Sequence, residues 1–281
     1  SSNTIKILEN GKIISGEGDV QITIGKNIFI SSETFEYNKE TGLYKIFNNV
    51  QFEDKINNII ASGSEFIFST FDNKILSKTK SKIIYNQTYD IDLNNFEYDI
   101  YNRKISSDDF VKIKDNINNY FELYEFLFDL KTNNFLGKEI KFIDNLQNKY
   151  LLNEIVVNTD NDKLYGKKIK FLDNQQNKYL LNEVMINTNN DNIYGKDLSI
   201  EFNKSLFGNS DNDPRLKAKS VKIKDQSSFL KKGVFTSCSK DNDCPPWSIY
   251  AEEIEHDKTD QTIKYKNAWL KIYDRPVVYF P

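Results

Sequence analysis

Two cysteines and one histidine are the side chains best suited to covalent or metal chemistry in this 281-residue chain. Cys238 and Cys244 enclose the segment SKDND, which is not a redox C-x-x-C motif and has no two further zinc ligands at suitable spacing. The residues alone leave three interpretations open: a local Cys238–Cys244 disulfide, pairing with distant partners, or free thiols. His256 lies one position before a turn without a second metal ligand, which favours a structural or solvent-facing role.

Other catalytic motifs are missing from the sequence. Aspartate and glutamate are scattered through turns, without the repeated pairs that a glycoside hydrolase would need. The chain has no G-x-S-x-G elbow and no glycine loop that could cradle a phosphate. The turns at 158–162 and 187–191 lack the glycine period of calcium-binding β-rolls and are interpreted as ordinary turns. We therefore predict no catalytic residue, no metal site and no cofactor.

The composition excludes further classes of protein. The net charge is -3 with both signs interspersed, so no nucleic-acid partner is predicted. No apolar run approaches the ~18 residues that a membrane-spanning helix needs. The 20 phenylalanines and 16 tyrosines favour pleated strands, because aromatic side chains fit a half-buried sheet surface.

The elements that position these residues belong to a sequence repeat. Residues 137–165 and 166–194 are nearly identical, and a third copy begins at Gly195 before the sequence drifts. Gly137, Gly166 and Gly195 therefore follow one another at intervals of 29 residues. A fixed period of this length is typical of stacked architectures, in which neighbouring units bury one another's apolar faces.

Short runs of alternating apolar residues extend the period over most of the chain. They begin at residues 35, 66, 96, 126, 155 and 184, and most are followed by a polar turn and a further apolar pair. Alternation with period 2, interrupted by Asn- and Asp-rich turns, is the pattern of β-strands. We predict an all-β fold, a β-solenoid or elongated β-jellyroll with stacked sheets and about seven or eight rungs.

The segment 233–281 resembles a known family. In order along the chain, the matching residues are Gly233, Thr236, Cys238, Trp247, Ala251, Ile254, His256, Asp257, Asn267, Ala268, Leu270, Pro276, Tyr279 and Pro281. They resemble the junction between the periplasmic domain and the outer-membrane barrel in the LptD (OstA, organic solvent tolerance) family of lipopolysaccharide-assembly proteins. The segments 16–22 and 47–54 are similar to the OstA-type repeat. The clean duplication at 137–194 and the lack of an N-terminal cysteine depart from the family pattern.

The resemblance implies a V-shaped, non-enzymatic jellyroll at the periplasmic face of the Gram-negative outer membrane. Residues 1–232 would form the OstA-like repeat domain, and residues 233–281 the last rungs and the junction to a barrel after Pro281. The implied ligand is lipopolysaccharide, held by its lipid A acyl chains. The implied partners are an LptA-like bridge protein at the N-terminal edge and an LptE-like lipoprotein at the barrel. The resemblance also favours disulfides from Cys238 and Cys244 to cysteines in that barrel, in an oxidising compartment.

On this basis we predict which apolar side chains line the lipid path. One wall would carry Phe35, Tyr37, Phe66, Phe68, Phe96, Tyr98, Phe126 and Phe128. The opposing wall would carry Ile140, Phe142, Ile169 and Phe171. The N-terminal edge, around Ile5, Ile7, Ile13 and Ile14, would accept a strand from another chain.

Alternatives remain open at this point. The aromatic rows also fit a dry core, as in a secreted β-solenoid adhesin or structural repeat protein. A carbohydrate-active β-helix enzyme would require a surface groove with clustered acids. The N-terminal edge also fits a frayed, capping first rung.

Overall fold

The fold is all-β, as predicted from the alternating pattern. A computed structural model describes residues 1–143, 149–161, 163–172, 176–187, 192–204, 212–224, 227–240, 246–257, 259–260 and 262–281. Apart from a short 3-10 turn at Glu9–Gly11, the regular elements of the described residues are antiparallel strands. No helix in these ranges is long and apolar enough to cross a membrane. The predicted class, a jellyroll of stacked strands, is confirmed.

The chain divides into two compact units, Ser1–Asn145 and Leu146–Pro281. The first unit contains β1 (Thr4–Leu8), β2 (Ile13–Ile24), β3 (Ile28–Asn38), β4 (Leu43–Asp54), β5 (Ile59–Ser69), β6 (Lys74–Ser77), β7 (Ser81–Tyr85), β8 (Tyr89–Leu93), β9 (Phe96–Asp99), β10 (Lys104–Ser107), β11 (Val111–Asp115), β12 (Tyr120–Asp129) and β13 (Asn134–Ile143). The second unit contains β14 (Lys149–Asn158), β15 (Lys163–Leu172), β16 (Lys178–Asn187), β17 (Asn192–Glu201), β18 (Arg215–Lys224), β19 (Ser227–Thr236), β20 (Trp247–Asp257), β21 (Thr262–Ile272) and β22 (Arg275–Phe280).

In the long strands, the alternation of buried and exposed residues changes phase in the middle, contrary to the continuous alternation predicted from the sequence. In β13, Phe135 and Gly137 are buried, two exposed residues follow in succession, and Ile140 and Phe142 are buried again. A shift of one residue in the alternation places the buried side chains on the opposite side of the strand. Each long strand therefore bends at its middle, and its two halves belong to different walls around a shared interior. We refer to this bend as the corner.

Two walls can be followed in each unit by strand register. In the first unit, the first wall carries Phe66, Phe96 and Phe126, and the second wall carries Phe52 and Phe142. In the second unit, the first wall carries Leu164 and Val184, and the second wall carries Ile169 and Leu181. We call the end of each wall that lies away from the corner its rim; in the first unit, turns such as 39–42 and 55–58 lie there.

The corner requires unusual backbone in several of the long strands. One residue at the bend has a left-handed φ between 50° and 52° in six of the described strands. These residues are Glu125, Glu139, Lys168, Asp197, Lys232 and Asn267. Strand pairing is interrupted at the same level, as expected for a bulge that bends a strand and increases its twist. The corner is thus a regular, repeated bulge.

The glycines with the 29-residue period occupy the inside of this corner. A Cβ atom at Gly166 would lie 2.7 Å from Cδ2 of Leu152, and one at Gly195 would overlap Cδ2 of Leu181. On the outside of the corner, Lys167 forms an ion pair with Glu154 at 2.9 Å. Acidic residues lie opposite Lys167 on the neighbouring strands at both sides. The glycines are present because the two walls meet there with no room for a side chain.

Part of the first unit builds the same corner differently. Between β5 and β12 the strands are short, because each stops at the corner and restarts on the other wall. Buried serines replace the glycines there: the Ser81 hydroxyl donates to Ser77 Oγ at 2.9 Å, and the Ser107 hydroxyl donates to Asn95 Oδ1 at 2.9 Å. These hydrogen bonds satisfy polar groups where the ladder is interrupted.

The boundary predicted between residues 232 and 233 falls inside β19. This strand pairs with β18 on one side and with β20 on the other, and Gly233 itself lies opposite Ala251. The division into a repeat domain and a junction segment therefore does not coincide with a break in the strand ladder, and it stays a prediction.

We expect Gly195→Ala to lower the free energy of unfolding by about 1–3 kcal/mol, because an added methyl group overpacks the corner. The overlap is with Leu181, so the cost should shrink when the same change is made in a Leu181→Ala background. Urea unfolding of the two single variants and the double variant measures this coupling. The exposed neighbour Lys196→Ala serves as the control, and an equal cost of Gly195→Ala in both backgrounds would contradict the assigned role of the corner.

Candidate functional site

The twelve side chains predicted to line a path all belong to the two walls. The first eight lie on the first wall of the first unit, where register places Tyr37 next to Tyr44, and Tyr44 next to Phe68. Ile140 and Phe142 lie on the second wall of the first unit, and Ile169 and Phe171 on the second wall of the second unit. Phe35, Tyr37 and Phe171 are half-buried, and the other nine are buried. Their contact with lipid stays a prediction.

In the first unit the two walls touch through aromatic rings. The ring of Tyr85, on the second wall, meets Phe128 of the first wall edge-on at a centroid distance of 4.6 Å. Phe52 meets Tyr98 across the interior at 5.7 Å, and Phe121 meets Phe135 at 5.8 Å. Edge-to-face pairs at these distances are favourable beyond the area they bury. In this structure the interior of the first unit is therefore filled by its own side chains.

A polar cluster joins the two walls at the rim of the first unit. The Tyr98 hydroxyl, on the first wall, donates to Asp54 Oδ2 of the second wall at 2.5 Å. The Asn57 amide donates to the same carboxylate oxygen at 2.7 Å and to the Tyr98 hydroxyl oxygen at 3.0 Å. We call Asp54, Asn57 and Tyr98 the latch. It adds a polar connection to the aromatic contacts between the walls.

The latch holds a carboxylate that is 2% exposed and a phenol that is 1% exposed. Backbone amides of Ile56 and Asn57 donate to Asp54 Oδ1 at 3.0 and 3.1 Å, so both carboxylate oxygens accept hydrogen bonds. Burial raises the pKa of Tyr98 well above its usual range, and the hydrogen bond to Asp54 raises it further. The phenol therefore remains protonated and serves as a donor.

A second hydrogen bond crosses between the walls near the latch. The Tyr85 hydroxyl, at the rim of the second wall, donates to Asn133 Oδ1 at 3.1 Å. Asn133 has a φ of 52° in the turn that connects β12 with β13 at the rim of the first wall. The opening between the two rims is thus bridged at two places in the first unit.

In the second unit, aromatic rings line one wall of the interior. Its second wall carries a stack of half-buried rings, with Tyr150 and Phe171 at 4.8 Å, and Phe171 and Tyr179 at 5.0 Å. These three residues are neighbours along the same wall, as the strand register shows. The stack presents an aromatic surface to the interior, because adjacent repeats place the same ring at the same level.

The predicted N-terminal edge is carried by β1 alone. Ile5 and Ile7 are 60% and 68% exposed on this strand, which pairs along one side with β2. Ile13 and Ile14 lie on β2, whose ladder is occupied by β1 and by β3, because the turn at Glu9–Gly11 folds β1 back onto it. Ile13 and Ile14 therefore do not form the free edge, and strand addition at β1 stays a prediction.

The candidate chemical residues belong to the second unit. Cys238 is half-buried, and its Sγ lies 3.6 Å from the Trp247 carbonyl oxygen. Cys244 lies outside the described residues, so the three pairing interpretations stay open. His256 lies on β20, opposite Ser228. Within the described ranges, no three His, Cys, Asp or Glu side chains are grouped to hold a metal ion.

Sequence reasoning missed the latch. Asp54 and Asn57 lie at the start of a turn, where their side chains cap backbone amides, and such residues are common in turns for that local reason. Tyr98 belongs to the predicted inward row, but its partner lies 44 residues away. The sequence holds one weak indication of the latch, because Asp54 continues the alternate positions that Val50 and Phe52 occupy on the buried side of the strand.

We expect Tyr98→Phe to lower the free energy of unfolding by about 1–3 kcal/mol near neutral pH, because Asp54 stays buried with one donor fewer. The difference in stability between the wild type and Tyr98→Phe should shrink above about pH 10. The Tyr98 pKa is raised in the folded state, so alkaline pH ionises the phenol in the unfolded chain first and removes wild-type stability. Urea titrations over a pH series measure both effects.

The exposed Tyr124→Phe is the matched control, and it should change stability little at any pH. A Tyr98→Phe variant as stable as wild type at neutral pH, or a difference that grows with pH, would contradict the hydrogen-bonded role of Tyr98.

Comparison with known proteins relates part of the chain to lipopolysaccharide assembly. A segment of 63 residues, 22% of the chain, is 40% identical to the LPS-assembly protein LptD of Yersinia pestis bv. Antiqua (strain Antiqua). The same values hold for strain Nepal516 and for Yersinia pseudotuberculosis serotype I (strain IP32953). The segment spans 8% of each of these relatives, so the similarity covers a small part of them. No family model matches the chain.

Proposed function

We propose that this chain is a periplasmic, lipid-conducting domain of an outer-membrane lipopolysaccharide translocon. Lipid A acyl chains lie between the two walls, while the sugars stay in water. The observation that carries the proposal is the two-walled apolar interior lined by aromatic rows. The 63-residue identity to LPS-assembly proteins supports the choice of ligand. The role is transport, without a chemical reaction.

The stacked design suits a ligand that has to move. Each acyl methylene buried between the walls is stabilised by about 0.8 kcal/mol, so a single deep pocket would retain the lipid. Successive strands present similar apolar side chains at the same level, as the rings of Tyr150, Phe171 and Tyr179 illustrate. A lipid that leaves one strand therefore meets an equivalent surface on the next, and its free energy changes little per step.

Access of lipid to the first unit requires its walls to separate. The cross-wall ring contacts would be exchanged for contacts between the same rings and acyl chains, which is close to neutral because both environments are apolar. The latch and the Tyr85–Asn133 hydrogen bond would have to open, and their groups would become accessible to water at the rim. Closed walls without lipid and parted walls with lipid are the two states of the proposal.

The proposed partners follow from the same role in lipopolysaccharide transport. An LptA-like bridge protein would add a strand to β1, where the backbone edge and the apolar side chains of Ile5 and Ile7 are exposed. An LptE-like lipoprotein would bind to an outer-membrane barrel that follows the domain. Cys238 and Cys244 would form disulfides with cysteines of that barrel in the oxidising periplasm.

One observation favours a second candidate, a β-roll with a dry core and a structural role. The aromatic rows of the first unit interlock, and Phe66, Phe126 and Phe128 are at most 1% exposed. A core of this kind needs no ligand for its stability. The two candidates differ in one measurable property, which is whether acyl chains reach these side chains.

We expect a photo-crosslinking amino acid at Phe96 or Phe126 to capture lipopolysaccharide during transport, because both side chains face the interior. The same amino acid at Lys45 or Lys112, which are exposed on the outward sides of their strands, should capture little. Immunoblotting of irradiated cells for lipopolysaccharide adducts measures the capture. Equal labelling at all four positions would contradict the proposed path, and labelling at none of them would favour the dry core.

Circular dichroism and urea unfolding of each substituted protein provide the necessary control. Phe128 is a poor position for a charged substitution, because it is 1% exposed and packs against Tyr85. An ionised group there would destabilise the fold itself, and a loss of transport would not report on the path.

A further inference from the structure

The outer surface of the second wall in the second unit carries an excess of positive charge. Strand register aligns its outward residues in two rows that run across β14 to β21. The basic residues of the described part of these rows are Lys149, Lys170, Lys178, Arg215, Lys217 and Lys271. Arg215 and Lys271 are half-buried, and Arg215 donates to the carbonyl oxygens of Asp213 and Cys238. The row between them is buried, so the exposed charge lies on the four remaining lysines. The acidic residue in the described part of the two rows is Glu201, which forms an ion pair with Lys240 at 2.6 Å. We call this surface the basic face.

Exposed leucines alternate with the lysines at one end of the basic face. Lys149, Leu172 and Lys178 follow one another in one row, and Leu151, Lys170 and Leu180 in the next. Leu151, Leu172 and Leu180 are 54%, 45% and 41% exposed. The checkerboard arises because the nearly identical repeats place the same residues at the same levels on neighbouring strands. About half of each of these leucine side chains is therefore left in contact with water.

Aromatic side chains occupy the other end of the basic face. Tyr250, Trp269 and Tyr279 lie side by side on β20, β21 and β22, all directed outward. The Trp269 and Tyr279 rings are 4.8 Å apart, and Lys271 Nζ lies 5.3 Å from the Tyr250 ring centroid. Tryptophan, tyrosine and lysine are the side chains that settle at the boundary between water and lipid, because each has an apolar body and a polar end.

The outer surface of the first wall in the same unit has a different character. There Glu154, Lys167, Glu183 and Lys196 alternate along one row, with ion pairs at 2.9 Å and 2.6 Å. Charges of opposite sign are paired along that row. Other outward lysines of the first wall, such as Lys222 and Lys224, add positive charge, but acids are interspersed among them. The described part of the two rows of the basic face, by contrast, holds six basic residues and one acid in a chain of net charge -3.

We propose that the basic face binds the surface of a membrane that contains anionic lipids. Lysine and arginine are attracted to the negative surface potential of such a membrane, and exposed leucine and tryptophan gain by entering the headgroup region. A second copy of the chain fits the face poorly, because two basic faces would repel each other. A soluble anionic glycan would satisfy the lysines but would leave the leucines in water. The inference is independent of lipid conduction through the interior.

Binding to lipid vesicles tests the proposal. The 281-residue chain should co-sediment with vesicles of phosphatidylcholine and phosphatidylglycerol, and much less with phosphatidylcholine alone. Reversing two exposed charges with Lys170→Glu and Lys217→Glu should weaken binding by at least about tenfold, since each basic residue near the surface contributes to attraction. High salt should weaken it as well. In a Trp247→Phe background, the emission of Trp269 should shift to shorter wavelength when vesicles are added.

The matched control reverses two exposed lysines on the first wall, Lys224→Glu and Lys264→Glu, with the same change in net charge. Equal weakening by both pairs, or no dependence on phosphatidylglycerol, would overturn the proposal. Binding to a soluble anionic polysaccharide that competes fully with vesicles and leaves Trp269 emission unchanged would overturn it in favour of a glycan. Concentration-dependent dimerisation in ultracentrifugation, abolished by the Lys170 and Lys217 changes, would overturn it in favour of self-association.

Discussion

The bend in the middle of each long strand is the constraint on which this fold depends. Two consecutive outward residues, such as Lys138 and Glu139, change the phase of the alternation and divide one strand between two walls. Without the bend, the apolar residues of the two half-strands would lie on opposite sides of a flat sheet, where both would face water. With it, each long strand contributes apolar residues to both sides of an enclosed space. The left-handed residue at the bend is locally unfavourable, and the burial of both half-strands offsets that cost.

Glycine and serine at the corner follow from this constraint. Where strands continue through the bend, the walls approach so closely that only glycine fits inside, as at Gly166. Where the strand ladder stops at the bend, buried serines such as Ser77 and Ser81 hydrogen bond with each other instead. The corner fixes one side of the interior, so any opening movement has to occur at the opposite rims. The latch and the Tyr85–Asn133 hydrogen bond lie at those rims.

The fold class was predictable because its signal is local and repeated many times. Alternation with period 2 and polar turns at regular intervals are visible in any single repeat, and the near-identity of two repeats fixes their common structure. The bend was visible as well, in the charged pair that follows Gly137 and Gly166, but alternation was assumed to continue through it. Contacts across the interior had no such signal. Asp54 and Tyr98 pair because two walls face each other, and no spacing within either strand indicates that distance.

The filled interior of the first unit and the proposed passage of lipid are compatible on energetic grounds. Parting the walls exposes rings such as Phe128 to an acyl chain instead of to Tyr85, and an exchange of apolar neighbours changes the free energy little. The hydrogen bonds at the rim are different, because a lipid tail offers neither donor nor acceptor to Asp54 or Tyr98. Water at the rim can replace those bonds when the walls part, since both groups lie next to a turn. The polar groups of the latch thus set how firmly the walls stay closed, and the aromatic rows determine what can enter once they open.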